Sequence, residues 1–247
     1  MKEKEKVRFI DPFRLINPKL DSDLSRLREL LSAPPTEIRT LQEGLWVMCS
    51  KLIELSNTLY KSLVLGDERM FRRGEILAED VHNEERTLTP RLLRSPSGSS
   101  AVLKELILFP GRLERVGDLL ESVLKASMIK HRDGIAFSEN AMSELKQLFD
   151  VFTKLLSILR DVLATCDRGP LDHLLSQHGL LAQTTLDFAT GHEDRLIEGS
   201  CSPRASSLYL DILDSVRNSN RNIRDITEGL IRIASSAEMV SELRAEG

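Results

Sequence analysis

Two short stretches of this chain place carboxylates at helical spacing. The first is RLERVGDLLE at 112–121, with Glu114, Asp118 and Glu121, and the second is SNRNIRDITE at 219–228. Glu114 and Asp118 are one helical turn apart, so their charges repel by a few tenths of a kcal/mol (roughly 0.2–0.5) unless a cation neutralises them. Oxygen ligands of this kind suit hard cations or iron. Acids at this spacing are also common on solvated helix faces, so both interpretations stay open.

The direction of these acids follows from the helical repeat of about 100° per residue. The apolar residues of the first stretch lie together on one side, and Glu114, Asp118 and Glu121 point away from them. In the second stretch Asp225 and Glu228 take the same angles. Acids of a preceding segment are the candidates for further oxygen ligands, namely Glu79, Asp80 and Glu84. The spacing therefore predicts an acidic helix surface and not an acidic core.

Other patterns that could carry chemistry are weak. The EDVH stretch at 79–82 has the Glu-x-x-His spacing of di-iron bundles, but those proteins need two such motifs, so chance is the better account. His192 is either a ligand or a residue that makes a structural hydrogen bond within a surface helix, and the structural role is the one we expect. We expect His173 and His178 to be solvated near a turn. The sequence contains no local signature of a catalytic triad and no glycine-rich nucleotide fingerprint. These patterns predict that the protein is not an enzyme.

Composition narrows the class of protein. The 247 residues carry a net charge of −4 with acids and bases mixed throughout, so a nucleic-acid partner is not expected. The charged N-terminus is not followed by the apolar run of a signal peptide, and no stretch reaches the roughly 18 apolar residues of a membrane span. Three cysteines without CxxC spacing, Cys49, Cys166 and Cys201, are expected to be small buried or half-buried residues in a reducing compartment. A cytoplasmic protein is predicted.

Apolar residues recur at three and four positions, which predicts an all-α fold. We expect an N-terminal segment, 1–36, with a short amphipathic helix, and then two three-helix bundles at 37–130 and 138–243. Gly66 should end the first long helix, and Asp67 should begin the next. The third helix is expected from about Ala101 to Ile129, with a kink where Pro110 lies inside it. Ser138 should cap the fourth helix, the turn at 167–170 should precede the fifth, and Pro203 should open the sixth.

The two halves align at an offset of 107 residues. This shift places Asp118 on Asp225 and Glu121 on Glu228 in the third helix of each half. The same shift pairs apolar residues of the first helices, Leu45 with Phe152, Met48 with Leu155, Leu52 with Leu159 and Leu55 with Val162. Matched acids and matched helix lengths indicate an internal repeat, and hence two related bundles of short-loop antiparallel helices.

Several of these motifs resemble the PhoU family. LERVGD at 113–118 resembles the Glu/Asp-xxx-Asp signature that the family carries once per bundle. The second half, from GHEDRLIEGSCS to the helix at 203–230, resembles most the PhoU-like domain of bacterial sodium/phosphate cotransporters. RFIDPFRLINPKL near the start is similar to the connector that follows the membrane part of those transporters. The resemblance implies two three-helix bundles and a cytoplasmic negative regulator of phosphate uptake and of phosphate signalling.

The resemblance also implies metal ligands and partners. Glu114 and Asp118 fill both signature positions of the first bundle, and iron, zinc or manganese is the metal expected there, with Asp80 and Glu84 as further ligands. Asp225 fills one position in the second bundle, but Arg221 replaces the other acid, and we expect it to pair with Asp225 and to disfavour a metal. The implied partner is a component of an ABC-type phosphate transporter, a sodium/phosphate cotransporter, or a phosphate sensor kinase.

Two alternatives to such a regulator are carried forward. One is a metal-carboxylate protein of the ferritin-like kind, which needs acids and histidine pointing into a four-helix core. The other is a metal-free helical adaptor, which Arg221 makes reasonable for the second half. Association with a membrane is expected only through a partner, and a homodimer is possible because amphipathic bundles often self-associate.

Overall fold

The computed structural model describes residues 35–94, 105–165, 168–199 and 201–245, and within these residues the chain forms six long α-helices and no strand. The six helices are α1 (Pro35–Leu65), α2 (Glu68–Leu93), α3 (Phe109–Arg132), α4 (Glu139–Thr165), α5 (Arg168–Ile197) and α6 (Pro203–Ala245). The predicted all-α class is confirmed. The predicted N-terminal helix and the turn at 95–100 lie outside the described residues. Among the described helices, none combines the length and the apolar character needed to cross a bilayer.

Most helix ends lie where the sequence predicts them. Gly66 follows α1 in the left-handed conformation at φ 62°, and the Asp67 side chain accepts a hydrogen bond from the Arg69 backbone N–H as the cap of α2. Ser138 Oγ accepts a hydrogen bond of 3.2 Å from the Ala141 N–H at the start of α4. Each cap satisfies a backbone group that the helix itself leaves unpaired.

Two predicted boundaries are wrong for the same reason. The third helix is predicted from about Ala101, which lies outside the described residues, with a kink at Pro110. Residues 105–106 are helical, but 107–108 form a turn, so α3 begins at Phe109 and Pro110 lies in its first turn. The turn expected at 167–170 instead contains the first residues of α5, so Pro170 also lies in an opening turn. Proline has no N–H to donate, and the first turn of a helix is the place where that group has no intrahelical partner.

The helices form two three-helix bundles that share one apolar core. Helices α1, α2 and α3 pack on one another, as do α4, α5 and α6, and the bundles meet through α1 against α4 and α3 against α6. The buried apolar residues of both bundles belong to one continuous cluster. A hydrogen bond of 2.8 Å between the hydroxyls of Ser56 and Thr153 joins α1 to α4 within this contact.

The offset of 107 residues relates equivalent buried positions. All four apolar pairs predicted from α1 and α4 are at most 2% exposed. In the third helices, Val116 and Ile223 are buried, while Asp118 and Asp225 are exposed. Because α1 packs on α4 and α3 packs on α6, each inter-bundle contact is made by two equivalent helices. The repeat therefore gives the molecule an approximate two-fold arrangement.

Two ion pairs and one close approach tie α3 to α6. Arg112 lies 2.9 Å from Asp225, and Arg232 lies 2.8 Å from Glu105, just before α3. At Gly229 a Cβ atom would come within 2.8 Å of the Phe109 ring, so only glycine lets the two helices approach this closely.

The described cysteines agree with the expected structural role. Cys49 is fully buried in α1, and this burial raises the pKa of its thiol to about 12, which keeps it protonated. Cys201 is half-buried before α6, and Cys166 lies outside the described residues.

The turn at Gly66 yields a test of the fold. A Cβ at Gly66 would collide with the imidazole of His131, whose Nε2 donates to the Leu63 carbonyl at 3.0 Å. Gly134 has the same left-handed backbone, φ 63°, but open space around it. Gly134→Ala should lower the free energy of unfolding by about 1 kcal/mol through backbone strain alone, and Gly66→Ala by about 2–4 kcal/mol. Urea unfolding of both variants measures the difference, and equal losses would contradict the collision.

Candidate functional site

An open groove of about 620 Å³ lies between α2 and α3. Among the described residues, its lining contains six carboxylate side chains and one histidine, and no lysine or arginine. The charged and ionisable lining residues are Glu75, Glu79, Asp80 and His82 from α2, and Glu114, Asp118 and Glu121 from α3. The groove is therefore a strongly acidic surface feature of the first bundle.

Close packing of α2 on α3 brings the two rows of acids together. Gly117 lies on the floor of the groove, and a Cβ there would be 3.3 Å from Val81 of α2. Val81 and Val116 are fully buried beside this contact. The absence of a side chain at Gly117 lets the helices approach closely, so acids from different helices face the same space.

Basic residues at the rim balance part of this charge. Lys51 of α1 lies 2.8 Å from Asp80, and Lys125 lies 2.8 Å from Glu121. Arg115 approaches Asp118 only to 3.7 Å, and both side chains are largely exposed. Six carboxylates against three basic residues leave the groove net negative, which favours cations and basic partner segments.

The predicted first-bundle residues are only partly brought together. Glu114 and Asp118 line the groove, and Glu114 is the more shielded, with 23% of its side chain exposed against 49% for Asp118. Asp80 also lines it but is engaged by Lys51, and Glu84 is not among the lining residues. Among the described residues no three histidine, cysteine, aspartate or glutamate side chains converge on a point that could hold a metal ion. Metal binding at these acids stays a prediction.

His82 belongs to the groove although the sequence pattern gave it no role. Its Nδ1 lies 3.1 Å from Glu114 Oε1, across the interface of α2 and α3. The signal was the Glu-x-x-His spacing at 79–82, which was attributed to chance because a di-iron site needs two copies. The spacing placed His82 on the same face as Glu79, but only the packing of α3 supplied Glu114 as its neighbour.

In the second bundle, Asp225 is engaged across the contact between the bundles. The expected ion pair between Arg221 and Asp225 is wrong, because Asp225 pairs with Arg112 of α3 and Arg221 donates to Asn218 Oδ1 at 3.3 Å. Glu228 pairs with Arg224 one turn away on α6. Asp225 is thus part of the contact between bundles, where an arginine already neutralises it.

Comparison with solved structures identifies the arrangement of helices. The chain is similar to a phosphate transport system regulatory protein PhoU from Streptococcus pneumoniae, with TM-score 0.70, 14% identity, and coverage of 80% of this chain and 95% of that one. It is also similar to PhoU from Pseudomonas aeruginosa, with TM-score 0.72, 16% identity, and coverage of 81% and 98%. The chain has the PhoU fold. No protein-family model matches the sequence, and no curated protein matches it.

This likeness confirms the fold that the sequence motifs implied. The described helices account for nearly the whole length of both PhoU chains. At 14% and 16% identity the likeness shows the shared helical arrangement, and it does not extend to ligands or partners. Within the PhoU fold, the groove between α2 and α3 and the polar cluster described next are features of this chain's own side chains.

A polar cluster lies in the second bundle of the PhoU fold, where sequence reasoning placed no chemistry. Arg195 donates two hydrogen bonds, of 2.8 and 2.7 Å, to the carboxylate of Glu144, and the hydroxyl of Tyr209 donates to the same carboxylate. Burial, followed by this hydrogen bond, raises the pKa of Tyr209 well above its usual value, so the phenol stays protonated. The cluster connects α4, α5 and α6.

His178 is buried, so its expected solvation is wrong. Its Nδ1 donates to Asn220 Oδ1 at 2.6 Å, and its Nε2 lies 2.9 Å from the hydroxyl oxygen of Thr227. Asn220 Nδ2 in turn donates to the His178 carbonyl at 3.1 Å. Asn220 and Thr227 both belong to α6. The residue pattern within α5 alone does not show that these two side chains lie against His178. Burial lowers the pKa of His178, although the Asn220 bond partly opposes this shift.

This lowered pKa predicts how stability depends on pH. In the unfolded chain the imidazole titrates near about 6.5, so below that pH the unfolded state binds a proton that the folded state does not. The free energy of unfolding should therefore fall as the pH drops from about 7 towards the folded-state pKa of His178, by at most about 1.4 kcal/mol per pH unit.

His178→Gln should reduce this pH dependence, and His173→Gln, at an exposed position of the same helix, should leave it unchanged. Urea unfolding at several pH values between about 7.5 and 5.5 measures both slopes. A wild-type slope in the His178 variant would show that this imidazole is not the responsible group.

Proposed function

We propose that this chain is a PhoU-type regulator of phosphate uptake or phosphate signalling that acts by binding another protein and not by catalysis. The observation that carries this proposal is the match of the described helices to nearly the full length of two PhoU chains. One of those chains is a phosphate transport system regulatory protein. The motifs LERVGD and GHEDRLIEGSCS, which resemble the PhoU family, support the same function independently.

The acidic groove is the surface that we assign to partner binding. It is open, it lies on the outside of the first bundle, and it keeps a net negative charge after its rim pairs are counted. Such a surface attracts a basic segment of a partner, and the attraction weakens with salt. The partner classes that fit the proposal are a component of an ABC-type phosphate transporter, a sodium/phosphate cotransporter and a phosphate sensor kinase.

The exposure of the carboxylates distinguishes the proposed regulator from a ferritin-like protein. Storage or redox chemistry of that kind needs carboxylates that point into a four-helix core. No aspartate or glutamate among the described side chains is buried. The most shielded ones each have a partner: Asp133 pairs with Arg132 and Arg204, Glu144 with Arg195, and Glu114 with His82. The acids of the first bundle face solvent across the groove, which favours recognition of a partner or a surface ion.

The metal component of the proposal has its own test. Glu114→Ala/Asp118→Ala removes two groove carboxylates, and Asp211→Ala/Asp214→Ala removes two exposed carboxylates of α6 as a matched control. If Glu114 and Asp118 bind metal, protein purified without a metal-binding tag should carry near-stoichiometric iron, zinc or manganese in the wild type and the control only. Elemental mass spectrometry measures this. Metal-free wild type would assign the groove to partner binding alone.

The regulatory function is tested in cells. Deletion of the gene should raise uptake of radiolabelled phosphate in phosphate-rich medium, because the proposed role is negative regulation. Wild type and Asp211→Asn/Asp214→Asn should restore repression, whereas Glu114→Gln/Asp118→Asn should restore it only weakly because the groove has lost charge. Unchanged uptake after deletion would refute the regulatory function, and full repression by the groove variant would refute only the docking face.

A further inference from the structure

A second cavity, of about 500 Å³, lies where the second bundle meets the loop that joins the two bundles. Residues 134–138 of the loop form one wall, and residues 201–205 at the start of α6 form another. His192 of α5 and Tyr209 of α6 lie between them. The cavity is separate from the acidic groove, with which it shares no residue.

His192 is the unusual group in this cavity. It is 2% exposed, and neither of its ring nitrogens has a hydrogen-bond partner among the described residues. Its ring stacks on Tyr209 with centroids 4.6 Å apart, which fixes the imidazole plane. A buried polar group without a partner costs about 1–3 kcal/mol, so folded proteins rarely keep one unless it serves another purpose. The hydrogen bond expected for His192 is therefore absent, and both ring nitrogens keep unused hydrogen-bonding capacity beside the cavity.

The charge around the cavity favours an anion. Among the described residues that line it there is no aspartate or glutamate, and Arg204 is the one charged side chain. Arg204 and Arg132 share the single carboxylate of Asp133, so these three residues together carry one net positive charge. Ser202 precedes α6, where its Oγ accepts from the Ala205 N–H at 3.2 Å, so the positive end of the helix dipole also faces this region.

The protonation state of His192 is also compatible with an anionic ligand. Burial, and then the nearby Arg195 guanidinium, lower the pKa of His192, while Glu144 and Glu193 oppose this shift. The imidazole is therefore neutral at pH 7, with one N–H to donate. An anionic oxygen is the acceptor that gives this donor its strongest hydrogen bond.

The remaining walls are apolar. Ile135 and Phe137 from the loop, Ala141 from α4 and Ala205 from α6 line most of the cavity. Inorganic phosphate alone would leave this surface uncovered, whereas a molecule with an apolar body would cover it.

We propose that this cavity binds a small organic anion, whose charged oxygen accepts a hydrogen bond from His192 and whose apolar body packs against Phe137 and Ala141. The inference is independent of the phosphate-regulator function. Because the loop at 134–138 connects the bundles, an occupied cavity holds this loop against α5 and α6.

The experiment observes the imidazole directly. Protein labelled with ¹⁵N-histidine is titrated with phenyl phosphate and with benzoate, which separate phosphate monoesters from carboxylates, and long-range ¹H–¹⁵N spectra report the ring nitrogens. Two control probes each lack one feature of the proposed ligand. Inorganic phosphate lacks the apolar body, and benzyl alcohol lacks the charge. The His192 signals should shift saturably with at least one organic anion, those of exposed His173 should not, and both control probes should bind at least about tenfold more weakly.

Three variants complete the test. His192→Phe keeps the ring on Tyr209 but removes both nitrogens, and it should weaken organic-anion binding at least about tenfold in calorimetry, whereas His173→Phe should not. Arg204→Gln and Ala136→Trp change exposed rim residues, and each should also weaken binding even if the His192 variant fails to fold. Absence of saturable shifts with both organic anions, equal affinity for either control probe, or unchanged binding in all the variants would overturn the proposal.

Discussion

The packing of equivalent helices across the centre of the molecule constrains everything else. Helix α1 must cover α2 and α3 within its own bundle and also α4 of the other, and α6 meets both its own bundle and α3. Apolar residues therefore occupy more than one side of these helices, and Met48 and Leu155, which are equivalent, are both fully buried. Charged residues are left to the outer faces, because burial of an unpaired charge costs far more than a core position gains.

The acidic groove is a consequence of this arrangement. Helix α2 lies at the periphery, so its outer face and that of α3 are the surfaces on which unburied acids collect. Because Gly117 has no side chain, α2 and α3 pack closely, and their acids therefore line one groove. In the second bundle the related acid, Asp225, is neutralised by Arg112 across the bundle contact, so the approximate two-fold arrangement of the helices is not matched by the chemistry of the surfaces.

In the second bundle, several polar side chains form hydrogen bonds between helices. The carboxylate of Glu144 accepts hydrogen bonds from Arg195 and Tyr209, and His178 donates one to Asn220. These interactions fix the relative positions of α4, α5 and α6. His192 differs from these interhelical groups, because it is buried but has no hydrogen-bond partner among the described residues. The first bundle thus has an exposed charged surface, and the second has a mostly apolar cavity beside a histidine without a hydrogen-bond partner among the described residues.

Local periodicity determined much of this protein. The sequence alone predicted the six long helices, most of their caps, the repeat at 107 residues, the buried stripe around Val116 and the outward direction of Glu114 and Asp118. These features depend on residues within a few helical turns. The contact of His82 with Glu114, the pairing of Asp225 with Arg112 and the burial of His192 were decided only by tertiary structure. Each depends on the rotation and separation of two helices far apart in sequence, which the pattern within one helix does not specify.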